Sequence, residues 1–324
     1  MIKKTVVRIV RNSIFEKRIK LTVAKIIVKL VNSIKVENAD FTHFGFFELW
    51  QKNGFFIIPN NFYQSIPDTS KINKINLKKE LSLVGINMNE GEQLTLLKNN
   101  FPKFKKEYRN IHCSGDPQGC IYYFNNSAFD GVDGLVYYCM IRDFNPKKII
   151  EVGSGWSTKI AAQAALLNGN TELISIEPYP QPFMQKLFPG LSKVIVNKVE
   201  NIPIKFFDSL SSSDILFIDS SHTVKTGGDV NYLFLEILPR LKKGVIIHIH
   251  DIFFPFDYPP DWVLKEHRSW AEQYLLQAFL MFNHSYKILY SNSYMGYKHL
   301  KEVKNVFPNS PFYKGGSIWI QKIK

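Results

Sequence analysis

The sequence is poor in cysteine and has no long apolar run. Its three cysteines, Cys113, Cys120 and Cys139, are odd in number and none is spaced as Cys-x-x-Cys, so neither a disulfide framework nor a zinc site is predicted. This cysteine content fits a reducing, cytoplasmic location best. No stretch approaches the roughly 20 apolar residues of a membrane span, and the basic start lacks a signal peptide's apolar centre and cleavage site. We therefore expect a globular chain that is neither exported nor membrane-spanning.

Acidic residues are scarce at the start of the chain, where the positive charge is concentrated. Residues 1–36 carry ten Lys or Arg against Glu16, which accounts for nine of the thirteen excess positive charges. Apolar residues recur there at spacings of three and four, which predicts an amphipathic helix with cationic flanks (Ile19, Val23, Ile26, Ile27, Leu30, Val31, Ile34). Such a helix suits a peripheral contact with an anionic membrane at the inner face, or docking in a homo-oligomer. Because the charge is confined to this leader, nucleic acid is not a predicted partner.

The sequence predicts three regions. After the leader, residues 37–110 form an aromatic and lysine-rich cap region of helical and irregular structure. Its stretch Asn61 to Asp68 either packs into a core or lines a cleft. Residues 111–324 form the main domain, in which short apolar runs alternate with helical patterns, as in parallel strands joined by right-handed crossovers. The last run, residues 316–322, is predicted to form an antiparallel edge strand paired with residues 287–290.

A glycine turn, Glu151 to Thr158, is the first candidate site. It follows the apolar run ending at Ile150 and precedes a helical pattern, so its backbone N–H groups can face a polar ligand. A dinucleotide fingerprint would place a third glycine three residues after Gly155, where this chain has Thr158, and this disfavours NAD. About 20 residues further on, a strand ends in Glu177, which can accept both ribose hydroxyls of any adenosine-containing cofactor.

Polar side chains end four successive predicted strands. They are Glu151, Glu177, Asp219 and the pair His250-Asp251. Ligands of open α/β sheets bind beyond the carboxyl ends of the strands, so this pattern favours a site. His222 follows Asp219 by three residues and can remove a proton from a hydroxyl, or it can act only in capping the next helix. Asp219, His250 and Asp251 are candidate ligands of a divalent metal such as Mg²⁺.

Together these motifs resemble class I S-adenosylmethionine-dependent methyltransferases, in particular bacterial enzymes near the sugar and small-molecule O-methyltransferases. The motifs similar to those of this family are Glu-Val-Gly-Ser-Gly, Ile-Glu-Pro-Tyr, Ile-Leu-Phe-Ile-Asp-Ser-Ser-His and Ile-His-Ile-His-Asp. The resemblance implies a Rossmann-like, doubly wound sheet of seven strands with an antiparallel last strand. It also implies that the turn, through Gly153, Ser154 and Gly155, lies near the methionine part of the cofactor, that Glu151 supports the turn, and that Glu177 holds the ribose.

The same resemblance implies the reaction. In metal-dependent O-methyltransferases an acid, a base and a ligand pair stand where this chain has Asp219, His222 and His250-Asp251, although those enzymes usually have a carboxylate at the position of His250. We therefore predict methylation of a hydroxyl on a sugar, glycan or related small molecule, with His222 as general base and Asp219 beside it. The alternatives are an NAD-dependent sugar-modifying enzyme, for which a Tyr-x-x-x-Lys catalytic pair near the fourth strand is missing, and a non-catalytic membrane or protein-interaction module. The Asn-Pro-Pro-Tyr type motif of base methylators is absent.

Overall fold

The computed structural model describes residues 14–33, 47–74, 76–111, 115 and 119–324. By its internal contacts the chain divides into two compact units, Met1–Lys71 and Ile72–Lys324. Cys113 and both ends of the predicted leader, residues 1–13 and 34–36, lie outside the described residues. Cys120 and Cys139 are free thiols. The predicted domain boundaries stay a prediction, but residues 72–110 belong to the same compact unit as the sheet.

The first unit contains the helices α1 (Ile14–Ser33) and α2 (Phe47–Lys52). Helix α1 lies within the predicted leader, and the large apolar side chains along it are about half exposed (Ile19, Leu21, Val23, Ile26, Ile27, Val28, Leu30). Phe62 and Tyr63 stack at 4.0 Å and are exposed, so packing into a core is the wrong expectation for these two. Among the described residues, no helix has the length and apolar character needed to cross a membrane.

The second unit is an α/β sandwich. Its strands are β1 (Lys148–Val152), β2 (Glu172–Ile176), β3 (Lys193–Ile195), β4 (Ile215–Ile218), β5 (Ile246–His250), β6 (Tyr286–Ser291) and β7 (Ser317–Lys322). Its helices are α3 (Glu90–Thr95), α4 (Lys105–Tyr108), α5 (Gly131–Phe144), α6 (Trp156–Asn168), α7 (Asp229–Asn231), α8 (Pro260–Leu264), α9 (Glu272–Leu280), α10 (Asn292–Lys298) and α11 (Leu300–Val306). Helix α3 continues through π and 3₁₀ turns (Leu96–Asn100, Phe101–Phe104) into α4, and α7 continues likewise to Arg240 (Tyr232–Ile237, Leu238–Arg240).

The seven strands form one sheet in the order β3-β2-β1-β4-β5-β7-β6. Strands β1 to β5 pair in parallel, and β7 pairs antiparallel with both β5 and β6. The predicted seven-stranded sheet with an antiparallel last strand is therefore confirmed. One expectation is wrong: β7 lies between β5 and β6, so the edge strand is β6. The two strands are joined by α10 and α11 at the end of the sheet where β6 finishes and β7 begins.

Apolar side chains cover both faces of the sheet. Along β4, Ile215 and Phe217 belong to a core cluster shared with α5 and α6, whereas Leu216 and Ile218 belong to the cluster on the opposite face. Successive side chains of a strand point to opposite faces, and strands buried on both sides are continuously apolar. The first polar groups after these strands therefore mark the positions where the chain leaves the core at one edge.

Candidate functional site

The site lies where the strand order reverses, between β1 and β4. Gly153 follows β1 and Asp219 follows β4, and Asp219 N–H donates to the Val152 carbonyl over 2.8 Å. Gly153 has a φ of +79°, and a Cβ there would lie 1.7 Å from the Asp219 carbonyl oxygen. Only glycine permits this backbone approach. In doubly wound sheets such a reversal opens the crevice that binds ligands.

The turn after β1 leads directly into α6. Gly155 is the N-cap of the helix, and its N–H donates to Thr158 Oγ1 over 3.0 Å. Thr158, which stands where a dinucleotide fingerprint has glycine, is fully buried and closes the first turn of the helix through this bond. Ser154 Oγ lies 2.5 Å from Ser175 Oγ on β2. The turn is thus held by a side chain of α6 and by a contact with β2.

Glu177 follows β2 and is held by two backbone groups. Its Oε2 accepts a hydrogen bond from Ser154 N–H at 3.2 Å, and its Oε1 accepts one from Tyr179 N–H at 2.8 Å. Each carboxylate oxygen keeps a second lone pair for a further donor. The carboxylate is therefore fixed at the rim of the crevice and able to receive the two hydroxyls of a ribose.

A cavity of about 440 Å³ opens at these strand ends. Gly153, Glu177 and Asp219 line it, together with Tyr179 and Glu200 from the loops after β2 and β3. Its volume lies within the roughly 300–1,000 Å³ of small-molecule sites. Of the predicted cofactor-binding residues, Gly153, Glu177 and Asp219 thus line one cavity, whereas Ser154 and Gly155 are not part of its lining.

Glu151 lies behind the turn rather than in the cavity. Its side chain is fully buried, and Tyr137 O–H donates to its Oε1 over 3.0 Å. Burial raises the pKa of Glu151 to about 8. A largely neutral carboxyl at this depth can link α5 to the end of β1, as expected for a residue that supports the turn.

Beyond Asp219 lies a buried cluster of carboxylates and imidazoles. His222 Nε2 is 3.3 Å from Asp219 Oδ1 and 3.5 Å from Asp251 Oδ2. His250 Nδ1 is 3.3 Å from Asp219 Oδ1 and 3.7 Å from Asp251 Oδ1. The four residues predicted at the ends of β4 and β5 therefore form one group.

Glu272 orients the His222 ring from the other side. Its Oε2 lies 2.8 Å from His222 Nδ1, which donates to it in the tautomer that carries hydrogen on Nδ1. Glu272 begins α9, and the Ala271 and Glu272 N–H groups both donate to the His222 carbonyl. This leaves Nε2 facing the two aspartates. A carboxylate that fixes an imidazole in this way is found behind both catalytic and metal-binding histidines.

The backbone around the cluster is strained. His222 has a φ of +56° and Asp251 a φ of +58°, in the left-handed region that non-glycine residues seldom adopt. Such residues cost on the order of 1–3 kcal/mol and are concentrated at functional sites. Asp229 stabilises the loop before His222, because its two oxygens accept the Ser221 N–H and O–H at 2.8 and 2.6 Å.

The charges in the cluster shift the pKa values of its members. Burial opposes the charged form of His222, but hydrogen bonds to Asp219 and Glu272 outweigh it and raise its pKa well above the usual range. Burial also opposes the charged form of His250, and Asp251 and Asp219 raise its pKa to about 10. Burial raises the pKa of Asp251 and of Glu272. The cluster as a whole stabilises positive charge.

The same cluster offers ligands for a divalent cation. One ligand atom each from Asp219, His222 and Asp251 lies within 4.8 Å of the others. Two carboxylates and an imidazole suit several divalent metals. The sequence predicts Asp219, His250 and Asp251 as metal ligands. In the structure the compact set contains His222 in place of His250, which lies beside it.

Two members of the cluster were missed at the level of sequence. Asp133 on α5 accepts hydrogen bonds from Asn292 and from Gly316 N–H, and its Oδ2 lies 3.9 Å from His250 Nε2. Glu272 is the other. Both are fully or almost fully buried. Both lie in the first turn of a helix, where an acidic residue in the sequence predicts only helix capping. His248, in contrast, is a core residue, stacked on Trp319 at 4.0 Å with its pKa lowered by burial.

Comparison with known proteins identifies the domain. Residues 150–252, which run from the end of β1 to the residues just after β5, match the family model described as a methyltransferase domain. These residues of the chain therefore form a methyltransferase domain. An uncharacterised protein of Archaeoglobus fulgidus is 28% identical to this chain over 172 residues, which cover 48% of this chain and 75% of that protein.

Solved structures of other methyltransferases are also similar, at low identity. The O-methyltransferase TomG from Streptomyces achromogenes is 11% identical with a TM-score of 0.39, over 80% of this chain and 100% of that chain. A putative methyltransferase from Thermobifida fusca is 12% identical with a TM-score of 0.41, over 59% of this chain and 78% of that chain. The family match at residues 150–252, and not these structural likenesses, identifies the domain.

Proposed function

We propose that this methyltransferase transfers a methyl group to a hydroxyl of a sugar, glycan or related small molecule. The observation that carries the proposal is the position of His222 and Asp219 at the end of the strand next to the glycine turn. S-adenosylmethionine would be held in the cavity at the strand ends, with Gly153, Ser154 and Gly155 near its methionine part and Glu177 at its ribose. Acids around this cavity suit a sulfonium, whereas they would repel a pyrophosphate.

The reaction is a direct displacement. The acceptor oxygen attacks the methyl carbon, the carbon–sulfur bond breaks, and its electron pair stays on sulfur. The hydroxyl proton passes to His222 Nε2, and Glu272 and Asp219 stabilise the imidazolium that forms. The enzyme's main contributions are alignment of the two reactants and acceptance of this proton.

His222 must be neutral before it accepts the proton. The surrounding carboxylates raise its pKa, so a positive charge beside them favours the neutral ring. Asp219 belongs to both the cavity lining and the cluster, so the bound sulfonium supplies one such charge. If Asp219, His222 and Asp251 instead held a divalent cation, His222 Nε2 would be a ligand rather than the base, and the cation would lower the pKa of the acceptor hydroxyl.

The test is methyl transfer by variants of the full chain. His222→Ala is expected to reduce the rate about 10²–10⁴-fold, the usual contribution of a positioned base, while S-adenosylhomocysteine affinity is retained. His299→Ala is the matched control, because this histidine also bonds a carboxylate, Glu90, and neither residue lines the cavity. An unchanged rate in His222→Ala would reject the base. Turnover confined to protein or nucleic acid acceptors would reject the acceptor class.

We also propose that residues 1–36 bind the chain peripherally to an anionic membrane. The support is the exposed apolar side of α1 and the lysines that flank it, each worth about 1 kcal/mol near such a surface. Co-sedimentation with vesicles of phosphatidylglycerol, with and without residues 1–36, tests this. Equal binding by both forms would rule it out, and a concentration-dependent dimer lost on truncation would favour a homo-oligomer helix instead.

A further inference from the structure

An aromatic corner lies directly beside His222. The Trp270 ring centroid is 4.3 Å from that of His222, and the two planes are inclined by 40°. Trp262 meets Trp270 edge-on, with centroids 5.3 Å apart and planes at 79°. The Arg268 guanidinium carbon lies 4.0 Å from the Trp262 centroid and 4.6 Å from that of Trp270. We call these three residues the Trp–Arg corner.

The corner is built into the segment between β5 and α9. Arg268 N–H donates to the Trp262 carbonyl over 3.0 Å, and Ala271 N–H donates to the His222 carbonyl over 2.9 Å. Trp262, Arg268 and Trp270 are all partly exposed. The backbone between them is constrained, since His267 has a φ of +54°. The segment thus presents two indoles and a cation at the sheet edge that carries the reactive cluster.

Groups of opposite charge lie close to Trp270. His222 lies among Asp219, Asp251 and Glu272, so an anionic group on an acceptor is repelled there. The Arg268 guanidinium also contacts Trp270, with its carbon 4.6 Å from the ring centroid. Its present partner is Glu266, whose Oε2 lies 2.8 Å from Nε and 2.7 Å from Nη2, and both side chains are about one-third to one-half exposed. Exposed pairs of this kind are weak, so a phosphate or carboxylate able to bind the guanidinium through two bonds can replace Glu266.

We infer that the Trp–Arg corner is the acceptor subsite, where a sugar ring lies against Trp270 and an anionic substituent pairs with Arg268. The inference rests on the proposed function, because it places the methylated hydroxyl at His222. Phosphate and carboxylate share the required chemistry, an anion that can accept two hydrogen bonds from the guanidinium. A neutral glycoside would use Trp270 alone and bind more weakly.

Calorimetry with the full chain, saturated with S-adenosylhomocysteine, tests the subsite. The probes are methyl α-D-glucopyranoside, its glucuronide counterpart and α-D-glucose 1-phosphate. Wild-type protein is expected to bind at least one anionic probe about tenfold or more tightly than the neutral one, the effect of one charge-assisted contact. Arg268→Gln should abolish this preference, and Arg240→Gln should keep it, because Arg240 forms a similar exposed pair with Glu236 on another element.

The possible outcomes distinguish a failure of the subsite from a failure of the proposed reaction. Comparison of the glucuronide with the phosphate shows which anion binds. An anionic preference that disappears in Arg268→Gln supports the subsite even if no probe is methylated, in which case the proposed reaction fails. Equal binding of all three probes by wild-type protein, or a preference that survives in Arg268→Gln, overturns the subsite whether or not methyl groups are transferred.

Discussion

Substitution of Gly153 by alanine should disrupt the site far more than the addition of a single methyl group suggests. The new Cβ would lie 1.7 Å from the Asp219 carbonyl oxygen, against the 3.0 Å that real contacts require, so the ends of β1 and β4 must separate by more than 1 Å. The left-handed φ of +79° costs about 1–2 kcal/mol for any L side chain. Separation also breaks the 2.8 Å bond from Asp219 N–H to Val152, worth about 1 kcal/mol.

Gly169 supplies the matched control. It has the same φ of +79° at the end of α6, but a Cβ there meets nothing within 4 Å. Gly169→Ala should therefore carry only the backbone cost, whereas Gly153→Ala should add at least about 1–3 kcal/mol from overpacking, or roughly 2–10 °C in Tm, and lose cofactor binding. Thermal unfolding and S-adenosylhomocysteine titration measure both. Equal stability of the two variants, with cofactor affinity retained in Gly153→Ala, would refute the close approach.

Three further predictions concern the buried acids. Glu272→Gln should slow methyl transfer about 10–100-fold with unchanged S-adenosylhomocysteine affinity, because His222 loses its orienting carboxylate; full activity at every pH would dismiss that role. Glu151 has a pKa of about 8 in the fold against 4.5 in the unfolded chain, so the fold binds the extra proton and loses stability as pH rises through this range. Wild-type protein should therefore lose more of its free energy of unfolding between pH 6 and 9 than Glu151→Gln, and parallel curves for the two proteins would contradict the raised pKa. With His222 as the base, removal of divalent cations with EDTA should leave the rate of methyl transfer unchanged, whereas a rate that is lost in EDTA and restored by Mg²⁺ would indicate a metal at Asp219, His222 and Asp251 and contradict the base.

Sequence reasoning located the half of the site that follows the parallel strands. Each buried strand is a short apolar run, so the first polar residue after it, such as Glu177 or Asp219, marks a strand end. Parallel strands bring those ends to one edge of the sheet. The glycine turn, Glu177 and four members of the cluster were therefore predictable by position along the chain (Asp219, His222, His250, Asp251).

The remaining part of the site depends on tertiary packing. Asp133 contacts His250, which lies more than 100 residues later in the chain. Glu272 contacts His222, which lies 50 residues earlier in the chain. No local pattern encodes such contacts. The place of β7 was missed for the same reason, because two helices intervene between β6 and β7 and the antiparallel pairing with β5 is decided by where the chain returns.

The central claim is that the cavity at the strand ends binds the sulfonium cofactor, and titration calorimetry tests it most directly. Full-length protein should bind S-adenosylhomocysteine and S-adenosylmethionine but not NAD. Glu177→Gln should weaken both by about tenfold or more, since its carboxylate is predicted to receive the ribose hydroxyls. Binding of NAD with no heat from either sulfur cofactor, or equal affinity in Glu177→Gln, would contradict the account.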